Sequence, residues 1–156
     1  MTRLDGPLYF NDVEVGDRWR SQGRTITETD VVNFAGVTGD YNPLHVDHEF
    51  ARKTPFGRPI AHGMLGMSLV AGLGSNSPCM HTAAFLRIVD WQFLKPLYIG
   101  DTVLVETDVL SMQPNGQKRG LILWRRQLVN QHDEVIQVGT VETLVLMANA
   151  KRLVPR

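Results

Sequence analysis

Along residues 102–112, Val103, Val105, Thr107 and Val109 fall on one side of an alternating apolar and polar pattern. A two-residue period of this kind predicts a β-strand with one buried face. Leu121–Asn130 and Glu134–Met147 read as two further strands. Pro114-Asn115-Gly116 and Gln131-His132-Asp133 supply the turns between them. Ala83–Leu94 is rich in bulky apolar residues. Long strands joined by hairpins imply an antiparallel sheet.

The first half has another rhythm. Thr27-Glu28-Thr29-Asp30 has the form of a capping box. Val31, Phe34, Ala35 and Thr38 then recur at helical spacing, and Gly39 is a natural stop, so a helix is predicted over 28–38. Asp47 caps a second, short helix that runs to Lys53, with Glu49 in its first turn and the bases in its last. Residues 17–26 form a first strand interrupted by Gly23. PIAHGMLGMSLVAGLG, residues 59–74, has a proline at its start and carries no Asp, Glu, Lys or Arg. A helix that is apolar all round is buried, and this one is too short to cross a bilayer. The expected architecture is α+β: one domain over residues 1–156, an antiparallel sheet curled around a long central helix.

Composition narrows the function. With 43% apolar and 21% charged residues in 156, the chain is of ordinary globular type. Sixteen basic residues balance sixteen acidic ones. That balance gives no support for nucleic-acid or membrane-surface binding. Cys79 stands alone, so no internal disulfide forms, and the N-terminus lacks the apolar stretch of a signal peptide. A cytoplasmic location is expected.

The chemistry concentrates in GDYNPLH, residues 39–45. Asp40 follows a helix whose C-terminal end carries partial negative charge, where a carboxylate is disfavoured. An Asx-turn over Asn42 and a catalytic role are both open for it. Paired with His45, a residue type suited to proton transfer, Asp40 is a candidate half of an acid/base pair. Asn42 is a turn former that can also orient either partner. A metal is not expected, since one Asp and one His do not make a ligand set. Gly63, in the first turn of the predicted helix, offers an unpaired N–H and no side chain, the makings of an oxyanion donor. Gly66 reads as a packing glycine. His62 either lines the site or satisfies the neighbouring loop.

FAGVTGDYNPLHVDHEFA followed by FGRPIAHGML closely resembles the MaoC-like dehydratases, the R-specific enoyl-CoA hydratases. The resemblance is strong over residues 27–74 and extends through WQFLKPLYIGDTV, residues 91–103. It implies a hot-dog fold, a homodimer or larger homo-oligomer with its pocket at the subunit boundary, and a thioester substrate on coenzyme A or an acyl-carrier protein, with no other cofactor. It implies that Asp40 and His45 are the catalytic pair, that Asn42 helps hold the site, and that the Gly63 amide binds the thioester oxygen. His62 is counted with Asn42 and Gly63 on the substrate side. His48 stands where that family commonly has proline. Arg58 and Lys95 are candidates for the carrier's phosphates. A thioesterase of the same fold and a non-catalytic acyl-thioester-binding subunit are the alternative readings.

Overall fold

The computed structural model describes residues 6–149. The expected domain limits of 1 and 156 lie outside that range. A short 3₁₀ turn, Phe10–Asp12, leads into β1 (Arg18–Arg20) and β2 (Arg24–Thr25). Three helices follow, α1 (Glu28–Thr38), α2 (Pro43–Val46) and α3 (His48–Arg52), and then the central helix α4 (Gly63–Gly74). The second half is all strand: β3 (Thr82–Phe93), β4 (Thr102–Asn115), β5 (Arg119–Val129) and β6 (Val135–Leu146). The sheet is antiparallel, in the order β1-β4-β5-β6-β3, and β2 also pairs with β4. No helix among the described residues is long and apolar enough to cross a membrane.

The alternation read from the sequence is the one that folds. Val103, Val105, Thr107 and Val109 of β4 are buried, as are Gly120, Ile122, Trp124, Arg126 and Leu128 of β5. Leu65, Leu69 and Val70 of α4 pack on this inner face with Ile26, Val31, Val103, Val105, Leu128 and Ile136. A second cluster centres on Ile122, Trp124, Val141 and Val145 beneath Phe10 and Val13. α1 occupies the predicted span, with Thr27 and Asp30 bonded reciprocally as a capping box.

Three expectations need correction. The first strand is two short ones, because Ser21 turns inward between them: its N–H donates to the Val105 carbonyl and its hydroxyl accepts from the Val105 N–H. The central helix starts at Gly63, four residues after Pro59. Residues 60 and 61 are drawn into extended pairing with the segment before β4: Ile60 bridges to Tyr98, and the Ala61 N–H donates to the Leu97 carbonyl at 2.7 Å. Nor is the helix enclosed on all sides. The sheet covers the face bearing Leu65, Leu69 and Val70, while Met64 is 55% exposed.

The approach of α4 to the sheet depends on Gly66. A Cβ there would lie 2.2 Å from Nε2 of Gln137, a fully buried β6 side chain. The packing role expected of this glycine is therefore a tight one. Gly66→Ala is expected to force the helix or Gln137 aside and to lower stability by about 1–3 kcal/mol, checked by urea unfolding.

Candidate active site

Gly39 ends α1 in the left-handed conformation, φ 79°, with its N–H on the Ala35 carbonyl. That turn carries Asp40 off the helix axis. The Asn42 N–H donates to Asp40 Oδ1 at 3.2 Å, so the Asx-turn is formed. It occupies only one carboxylate oxygen. Oδ2 lies 4.0 Å from His45 Nε2 and 3.9 Å from His62 Nε2.

Asn42 has a definite local task. Its Oδ1 accepts from the Leu44 N–H at 3.0 Å and caps α2, with Pro43 in the first position. This single turn of helix, absent from the sequence reading, is the mount for His45. The His45 ring Nδ1 lies 2.7 Å from the Ile60 carbonyl oxygen. A carbonyl can only accept, so Nδ1 carries the proton and, in the neutral ring, Nε2 presents its lone pair toward Asp40.

The same logic applies to His62. Its Nε2 donates to the Asp40 backbone carbonyl at 2.9 Å, leaving Nδ1 buried without a partner. The ring is 2% exposed and stacks on the His45 ring at 3.8 Å, with Phe34 at 5.1 Å on the tilted side. Of the two readings open for His62, the geometry favours support: it tethers the Asp40 backbone and backs the His45 ring.

The ligand atoms of Asp40, His45 and His62 all lie within 4.8 Å of one another. Of the three, His62 already has its Nε2 committed to the Asp40 carbonyl.

Gly63 opens α4. Its N–H is one of the first-turn donors that a helix cannot satisfy itself, and it finds no acceptor among the described residues. Its carbonyl accepts from Gln137 Nε2 at 2.9 Å, and Gln137 Oε1 accepts from Trp91 Nε1 at 3.1 Å. This relay locks the first peptide of the helix to the sheet. The sequence signal for it was a lone glutamine in the apolar run VIQVGTV, which the sequence reading passed over. The Ile60 carbonyl, a backbone group, has no side-chain signature at all.

Two clefts flank Gly63. One, of about 340 Å³, is lined by Phe56, Ile60, Gly63, Phe93, Leu97 and Gln137. The other, of about 190 Å³, lies between α4, at Met64, Met67 and Ala71, and the β3 residues Phe85 and Ile88, reaching Arg126. Lys95 pairs with Glu134 at 2.5 Å and Arg58 lies over the Tyr98 ring at 4.2 Å. His48 bonds Glu28 at 2.7 Å on the exposed surface, away from the pair.

Fold and site together define an α+β hot-dog domain with a carboxylate–imidazole pair beside a helix N-terminus. The chain matches the MaoC like domain model over residues 12–123. It is 37% identical over 115 residues to the 3-hydroxybutyryl-CoA dehydratase of Methylorubrum extorquens, covering 73% of this chain and 71% of that protein. It is 36% identical over 107 residues to the (R)-specific enoyl-CoA hydratase of Rhodospirillum rubrum, covering 68% and 72%. Among solved structures, the MaoC-like dehydratase from Rhodospirillum rubrum superposes with a TM-score of 0.80 at 28% identity, over 91% of this chain and 99% of that one. A double-hotdog protein of Mycobacterium tuberculosis, 19% identical, shares the fold with a TM-score of 0.83 over 96% of this chain and 47% of that one. The chain belongs to the MaoC-like dehydratase and enoyl-CoA hydratase family.

Because His45 rides on a turn capped by Asn42, Asn42→Ala is expected to cost about 1 kcal/mol of stability. Hydratase or dehydratase turnover should fall with it. Urea unfolding alongside steady-state kinetics checks both.

Proposed function

We propose that this protein adds water reversibly across the double bond of a trans-2-enoyl thioester, giving the R-3-hydroxyacyl thioester, with Asp40 and His45 as the acid/base pair. The carrier is coenzyme A or an acyl-carrier protein, and no other cofactor is called for. The observation that carries this reading is the 4.0 Å gap between Asp40 Oδ2 and His45 Nε2. Two acceptors so spaced can share one water at ordinary hydrogen-bond lengths of about 2.8 Å. The names of the relatives, a 3-hydroxybutyryl-CoA dehydratase and an (R)-specific enoyl-CoA hydratase, support the same reaction class.

In the hydration direction the thioester oxygen accepts from the Gly63 N–H. The pair takes a proton from the shared water as its oxygen attacks the β-carbon. The electrons of the double bond move onto the thioester oxygen, where the amide stabilises the enolate. An oxyanion donor of this kind is worth about 2.7–4 kcal/mol. A proton then passes from the pair to the α-carbon, the carbonyl reforms, and both residues end as they began. With Nδ1 held on Ile60, His45 is suited to take the water proton first. Both protons move on one face, so addition is syn. Dehydration is the same path reversed.

Asp40→Asn and His45→Ala are each expected to lower kcat/KM by about 10²–10⁴. The double variant should lose little more, since the two act as a unit. Crotonyl-CoA is the probe, with enoyl absorbance and thiol release followed together. Enoyl loss without thiol supports the hydratase. Thiol release makes the protein a thioesterase, and binding without either signal makes it a binding subunit. A single variant with near-full turnover removes its residue from the chemistry.

Assembly belongs to the same proposal. β3 is an edge strand, and Phe85, Leu86, Ile88, Val89, Phe93 and Leu94 on or just after it are between 44% and 53% exposed. Soluble proteins rarely leave an apolar edge open. A second copy related by a two-fold axis is the simplest cover, and it would close over the clefts beside Gly63. Leu86→Lys is expected to shift the protein toward monomer in sedimentation across a dilution series, with activity falling in parallel. A monomer of full activity would contradict the shared pocket.

A further inference from the structure

Arg126 stands on the inner face of β5 and is 7% exposed. It lies beneath the last turn of α4, where a Cβ on Gly74 would be 3.0 Å from its Nη1. Among the described residues no acid pairs with it and no hydrogen bond joins it to a neighbour, and its Nε is buried without a partner. Its one aromatic contact, the Trp124 ring at 6.0 Å, is at the outer limit of a cation–π attraction. Burial lowers its pKa to about 10, so the guanidinium stays charged at neutral pH. In register with it on β4 is Thr107, fully buried, whose hydroxyl also finds no partner.

Buried charges are ordinarily paired, because an uncompensated one is expensive. This one borders the cleft along α4. The other walls of that cleft are mostly apolar, among them Met64, Met67, Ala71, Phe85 and Ile88. The cleft begins at Met64, the residue after the proposed oxyanion donor. An acyl chain held by its thioester oxygen at Gly63 and laid along α4 past Met64 would meet the guanidinium in this cleft. From Gly63 to Gly74, which the guanidinium touches, α4 rises about 16 Å at about 1.5 Å per residue, so only an acyl chain of medium length reaches Arg126.

Building on the proposed hydratase reaction, we infer that Arg126 is a specificity-determining residue that selects enoyl thioesters whose acyl chain ends in a carboxylate. The chemistry fits the group. A guanidinium presents a planar fork of donors that matches a carboxylate in two parallel bonds. In an apolar cleft, the same charge penalises a plain alkyl end by remaining buried and unpaired.

The test separates binding from turnover. Saturated acyl-CoA thioesters, which cannot be hydrated, are titrated by calorimetry in pairs of equal chain length, one ending in a methyl group and one in a carboxylate. The wild-type protein is expected to bind the carboxylated member at least tenfold more tightly at the best-fitting length. Arg126→Met should bring the ratio to one or below, and Arg126→Lys should leave it intermediate. Replacing a buried unpaired charge by an apolar side chain of similar length should leave the melting temperature unchanged or higher. Equal binding of the two members by the wild-type protein, or a preference that survives Arg126→Met, overturns the inference. If Arg126→Met does not fold, the wild-type ratio decides alone. The binding preference holding while crotonyl-CoA is not hydrated would leave the specificity inference standing and remove the reaction. Hydration of crotonyl-CoA with a ratio of one would do the opposite.

Discussion

The contact on which the site depends is a side-chain amide pressed against a glycine. Gln137 fills the space that a Cβ on Gly66 would occupy, and its two ends tie the Gly63 carbonyl to the Trp91 indole. With a buried, hydrogen-bonded amide at that point, the helix cannot slide or roll on the sheet without stranding polar groups. The pitch of the α4 N-terminus follows from it. So do the direction of the Gly63 N–H and the place of His62, immediately before the helix. Through the His62 bond to the Asp40 carbonyl, the overhanging loop is referred to the same anchor.

A chain of backbone groups completes the arrangement. Asp40 is held by the Asn42 N–H, His45 by the Ile60 carbonyl, and His62 by the Asp40 carbonyl. Each imidazole thus receives its tautomer from a main-chain oxygen. The two rings lie face to face at 3.8 Å, so movement of one disturbs the other. Between the two side chains lies a gap of 4.0 Å, with Asp40 Oδ2 on one side and His45 Nε2 on the other.

Much of this was legible in the amino-acid order. The capping box before α1, the Asp47 cap of α3, the alternation of β4 to β6 and the GDYNPLH run all act locally, and local rules are visible in one chain. The start of α4 was misplaced because Pro59 is a good first helical residue by itself, while long-range pairing of Ile60 with Tyr98 draws the segment out straight. Gln137 and Arg126 were passed over for a related reason. On a strand, a polar residue at a core position is an anomaly whose purpose appears only when the residue across the sheet, or the helix above it, is known. His62 sat between two readings for the same cause, since its partner is the backbone of a residue in another loop.

The bond between His45 and residue 60 carries a consequence for variation. Every amino acid has a carbonyl, so exchanging the side chain at position 60 does not itself delete the group that sets the His45 tautomer. A survey of tolerated substitutions would tend to class that position with ordinary wall residues of the cleft, although an atom of its peptide unit is hydrogen-bonded to the His45 ring. What guards it is the path of the chain between residues 59 and 62, which is inherited through the fold and not through any one letter.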